Sequence, residues 1–170
     1  MRGSVTGQYR FIWRRLKREY RRLTNTALSP TRIISDFDTS IKTAAETEFP
    51  DAIVSGCFFH FIQNIYRQVM KLGLTRSYEN NASARLLIRK LMALAFLPSQ
   101  LVDFNFSRLV EDRPTIRLCR RSQGFQRLLA YFKRTYLNGQ YIPTFWNVHN
   151  RTMDNRTNNF AEGMYNDNVK

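Results

Sequence analysis

Only two short runs in this chain read as buried strands, and one helix separates them. The first, Ile33-Ile34, follows a break at Pro30 and ends in Ser35-Asp36; the second is Ala52-Ile53-Val54, after Phe49-Pro50. A short apolar run bounded by turn residues fits a strand buried on both faces. Between the two, Asp38 or Thr39 can cap a helix whose apolar positions Ile41, Ala44 and Ala45 suit one packed face. Strand, helix and strand at this spacing make a βαβ unit, which dictates a parallel pair.

Helical periodicity dominates elsewhere. Tyr9, Ile12, Trp13, Leu16, Tyr20 and Leu23 recur at helical spacing, so the pattern predicts an amphipathic helix over 8–24. Its other face carries Arg10, Arg14, Arg15, Lys17, Arg18, Arg21 and Arg22 against Glu19. A basic helix of this kind can bind phosphates, a membrane surface or calmodulin. The apolar stripe already accounts for the helix, however, and favours an outer helix packed on a sheet with its cations in solvent.

From Phe58 onward, four apolar sets predict helices. They are Phe59 to Val69, which Gly73 can cap; Leu86 to Ala95, stopped at Pro98; Leu101 to Val110, ended before Pro114; and Phe125 to Tyr136, ended near Asn138-Gly139. Tyr141 to His149 reads as an extended connector, and a last helix is expected to start at Asn158. The fold class is therefore α/β but mostly helical: a core part over 8–57, a helical insertion over 58–138, and a connector with a final core helix over 139–170, all in one domain.

A chain of 170 residues with 13 Phe and 8 Tyr can bury a real core and is not of disordered composition. Its 27 Lys and Arg exceed its 13 Asp and Glu, a net charge of +14, which draws polyanions. A nucleic acid is the expected partner, with Arg14, Arg18 and Arg21 in the first helix and Arg120, Arg121 and Arg127 late in the insertion as candidate phosphate contacts. A solvated charged face accounts for the later cations equally well. No signal core or membrane-length apolar run is present, and two cysteines build no disulfide framework. No membrane partner is expected, and the protein reads as intracellular.

Asp36 is the leading candidate for chemistry, because a carboxylate at the carboxyl end of a buried strand lies where α/β folds hold ligands. Asp38 serves better as the helix cap, which leaves Asp36 to the site. Asn158 and Glu162 stand four apart and would share one helical face. Cys57 and His60 have the Cys-x₂-His spacing of some zinc sites. Such a site wants four ligands, and Cys119 and His149 sit in no partner motif, so zinc is not expected.

Taken in order, Asp36, Phe49-Pro50-Asp51-Ala52, Cys57-x₂-His60, Trp146 and Arg156-Thr-Asn158-Asn159-x₂-Glu162-Gly163 resemble the transposase domain of Mutator-like elements, the MULE domain, over nearly the whole chain. The resemblance implies an RNase H-like fold with a helical insertion. It also implies a triad in which Asp36 is the second acid and Glu162 the third, holding Mg²⁺ or Mn²⁺ for phosphodiester displacement. Cys57, His60 and Asn158 would then line the site, and the nucleus would be the place of action. The strand bearing the family's first aspartate is expected to be missing, since the chain has no aspartate before Asp36. On that expectation the chain alone is not a competent transposase, and its unpaired sheet edge favours self-association.

Overall fold

The computed structural model describes residues 5–152 and Arg156. Helix α1 (Val5–Thr24) leads through a loop to strand β1 (Arg32–Ser35), helix α2 (Thr39–Glu48) and strand β2 (Ile53–Gly56). The strands pair in parallel, with Arg32 opposite Ile53 and Ser35 opposite Gly56, so the βαβ reading holds. Asp38 caps α2 as expected, its Oδ1 accepting from the Ser40 N–H at 2.7 Å and the Ile41 N–H at 3.4 Å. In a parallel pair, successive residues address opposite edges. The carbonyls of Thr31 and Ser35 accept from the Ile53 and Cys57 N–H groups, which turns the backbone groups of Arg32 and Ile34 to the other edge. Among the described residues that edge is unpaired.

Helix α1 departs from expectation. It packs on α2, not on the sheet, and none of its described residues is buried. Part of its apolar stripe lies open: Ile12 is 56% exposed and Leu23 73%, whereas Tyr9 and Trp13 are half-buried. The basic side makes the attachment instead. Glu48, buried at the end of α2, accepts hydrogen bonds from Arg10 Nε and Arg14 Nε, each at 2.9 Å, and Lys17 Nζ donates to its carbonyl at 2.7 Å. Trp13 meets Phe49 edge to face at 5.5 Å. A two-stranded sheet offers little apolar surface to cover, so a carboxylate at the tip of α2 captures the cationic side.

This latch makes a prediction. Burial pushes the Glu48 carboxyl up, but the hydrogen bond from Arg10 and the charge and hydrogen bond of Arg14 outweigh it and hold the pKa below its ordinary 4.5. A depressed folded pKa contributes stability above about pH 4.5, and that stability is lost as the pH falls through the lowered value. Glu48→Gln should loosen α1 at neutral pH by about 1–3 kcal/mol, the scale of hydrogen bonds to a charged group. Hydrogen exchange followed by mass spectrometry should show α1 amides losing protection while the rest of the chain keeps it. Unchanged α1 protection in the variant would overturn the latch.

The helical part holds the main core. Helices α3 (Phe58–Lys71), α4 (Thr75–Asn80), α5 (Ala82–Ala93), α6 (Val102–Glu111), α7 (Arg113–Arg121) and α8 (Gln123–Phe132) follow in order. Helix α8 widens into a π turn over Lys133–Leu137, and a short helix α9 spans Pro143–Trp146. Gly73 ends α3 as predicted: at φ 68 it lets its own N–H reach the Met70 carbonyl and the Leu74 N–H reach that of Val69. Around Trp146, fully buried, gather Phe61, Phe132 and Tyr136.

Three elements differ from the sequence reading. Pro114 stands in the first turn of α7, where a missing N–H is harmless, so it opens a helix there. Helix α4 is one short polar turn without an apolar repeat. The Tyr141–His149 segment is not wholly extended, because Pro143 likewise starts a helical turn. No helix among the described residues is long and apolar enough to cross a membrane. The final helix expected from Asn158 lies outside the described residues.

Candidate functional site

Strand β1 stops at Ser35, which places Asp36 just past its carboxyl end. The backbone turns at once, with the Asp38 N–H donating to Asp36 Oδ1 at 3.2 Å, and α2 begins at Thr39. Asp36 and Asp38 stand two apart, a spacing that shares one face on an extended segment, and the turn keeps them together. Both line one open cavity of about 420 Å³, with Phe37, Thr39, His60, Asn64 and Arg67. The last three stand at i, i+4 and i+7 on α3, one face of a helix whose opposite face is core.

Phe37 fixes the acidic turn from behind. Its ring meets Tyr141 at 5.0 Å, Phe145 at 5.4 Å, Tyr136 at 5.8 Å and Phe61 at 6.3 Å. Tyr141 donates its hydroxyl hydrogen bond to the Phe37 carbonyl. Burial, then the negative charges of Asp38 and Asp36, raise the Tyr141 pKa above its ordinary value, so the phenol stays a neutral donor. Nearby, the Tyr136 hydroxyl lies 3.3 Å from that of Tyr131. Burial raises the Tyr136 pKa as well. The pocket is thus a polar rim on an aromatic base.

The sequence candidates fall into three groups. Asp36 and His60 come together in the pocket. Cys57 lies behind it, fully buried between β2 and α3, its N–H donating to the Ser35 carbonyl at 2.7 Å. Glu162 and Asn158 lie outside the described residues. Sequence reasoning missed Asn64 and Arg67, although their spacing from His60 carried the signal. Among the described residues, no three His, Cys, Asp or Glu side chains stand close enough to hold a metal ion. Asp38 is taken up in its cap, so the described residues leave Asp36 as the one carboxylate available and do not by themselves fit a divalent ion.

The cationic candidates spread over two regions. Arg14 is engaged by Glu48, whereas Arg18 and Arg21 are exposed on α1. Arg120 and Arg121 close α7 and are exposed, and Arg127 on α8 is exposed with its guanidinium donating to Gln123 at 3.0 Å. Helix α7 buries only Thr115 and Leu118, which turns its four arginines outward.

The family model described as the MULE transposase domain matches residues 1–64. The matched segment contains α1, the βαβ unit, Asp36, Cys57 and His60, and it ends at Asn64 inside the pocket. Over that stretch the chain is similar to the transposase domain that the residue pattern resembles. No curated protein and no solved structure matches the chain.

Proposed function

We propose that the chain engages DNA as part of a transposase domain, with the Asp36 pocket as its phosphodiester-facing site and with no DNA cleavage by the chain alone. The observation that carries this reading is the pocket itself: a carboxylate at the carboxyl end of β1 beside His60, inside the segment that matches the transposase family. The βαβ unit is, on this reading, part of an RNase H-like sheet. Mg²⁺ or Mn²⁺ would need Glu162 as well as Asp36. The Phe58 N–H, at the start of α3, donates to the Arg156 carbonyl at 2.8 Å. With Asp38 spent on its helix cap, Asp36 and Glu162 would be two metal-binding carboxylates where the family reading needs three, which is why cleavage is not expected. The exposed arginines of α1, α7 and α8 favour the alternative of a purely DNA-binding protein over one with no nucleic-acid partner. The nucleus would be the place of action.

The test is fluorescence anisotropy of a labelled DNA duplex, with plasmid nicking in Mg²⁺ or Mn²⁺ run in parallel. Affinity should fall about a thousandfold between 50 and 200 mM salt if six or so phosphates are contacted, and the plasmid should stay intact. Absent or salt-insensitive binding would sink the DNA reading. Nicking that Asp36→Asn abolishes would overturn the claim of inactivity. Light scattering on the same samples reads self-association through the open β1 edge and the exposed part of the α1 stripe; a chain monomeric at high concentration would rule it out.

A further inference from the structure

We infer that Arg67 is the group that receives the DNA phosphate at the Asp36 pocket, with Asn64 set beside it as a neutral hydrogen-bonding partner. The inference rests on the DNA reading above. It starts from a charge problem: a phosphodiester that approaches Asp36 also approaches Asp38, and two carboxylates facing one pocket repel an anion. Among the described residues lining the pocket, Arg67 is the one fixed cation that can offset this.

Three features suit it to that task. Arg67 is exposed, two helical turns along α3 from His60, so it stands at the pocket's outer end where a backbone phosphate would arrive. It makes no ion pair or hydrogen bond among the described residues, although the carboxylates of Asp36 and Asp38 line the same pocket. Contrast Arg10 and Arg14, which Glu48 has captured. A guanidinium left unpaired keeps its fork of donors for a bidentate phosphate contact. Asn64 lines the same pocket and brings a polar amide to it without adding charge.

The full chain and a short labelled duplex test this. Arg67→Ala should weaken binding about tenfold at low salt and lower the slope of log affinity against log salt by about one, the signature of one lost phosphate contact. Arg67→Lys should recover part of the affinity. Arg76→Ala, which removes an exposed cation from α4 outside the pocket, controls for loss of net charge. If Arg67→Ala and Arg76→Ala weaken binding equally, or neither does, Arg67 is not a phosphate ligand and the inference fails while the DNA reading stands. If the unaltered chain binds no DNA, the DNA reading itself fails.

Discussion

Trp146→Ala should be the most destabilising single substitution in the described chain. The indole is fully buried and stacks on Phe61, centroids 4.6 Å apart and planes 6° from parallel. Its Nε1–H is shared between the Tyr136 carbonyl at 2.9 Å and the Tyr141 carbonyl at 3.0 Å. Truncation opens a cavity worth about 3–5 kcal/mol, and two buried carbonyls losing their donor add about 1–3 kcal/mol more. A domain commonly has only about 5–15 kcal/mol to lose. Urea denaturation followed by far-ultraviolet circular dichroism should show the midpoint collapse, or no folded baseline at all. Trp146→Phe should fall between, because it keeps a ring against Phe61 and loses the donor. Equal midpoints for the phenylalanine variant and the natural chain would mean that the shared hydrogen bond contributes nothing.

Arg151 should produce the second-largest loss. Its guanidinium is buried, Nη1 donating to the Gly56 carbonyl at 2.7 Å and Nη2 to that of Phe145 at 2.6 Å. Burial, with the nearby charge of Arg32, lowers its pKa to about 10, so it remains a cation at neutral pH. It clamps the end of β2 to α9 at a point where space is already short: a methyl group on Gly56 would come within 2.7 Å of the Phe145 ring. Arg151→Met keeps much of the volume but removes both donors, at a cost of about 2–4 kcal/mol. For a chain of this size that is roughly 5–15 °C in melting temperature. Scanning calorimetry reads it directly, and a shift under 2 °C would show that the clamp is not holding the two segments together.

Arg151 did not stand out in the sequence for this role, and the reason is general to this fold. What the sequence made legible was local: the strand–helix–strand spacing, the Asp38 cap, the Gly73 terminator and the periodic apolar helices. What it hid depended on partners far away in the chain. The stripe of α1 was read as a sheet-packing face because periodicity reports which residues are apolar, not whether anything is there to cover them. The basic face found Glu48 instead. Asp38 was set aside as a cap, although residues two apart on an extended segment share a face and the pocket receives both acids. Asn64 and Arg67 went unnoticed because His60 was read together with Cys57 as a metal-ligand spacing. The helical face of α3 was the informative period, and it joins His60 to the two missed residues.

Phe37 lies between the two acids, and the groups that pin it come from the far end of the chain. Its carbonyl accepts from Tyr141, 104 positions later, and its ring sits among Phe61, Tyr136, Tyr141 and Phe145. Contacts so distant in sequence form slowly, since the intervening loop must close before they are rewarded. During synthesis the acidic turn emerges long before the residues that fix it. The pocket is therefore a late product of folding: the βαβ unit can form early, but its carboxylates acquire their geometry only once the helical half has docked.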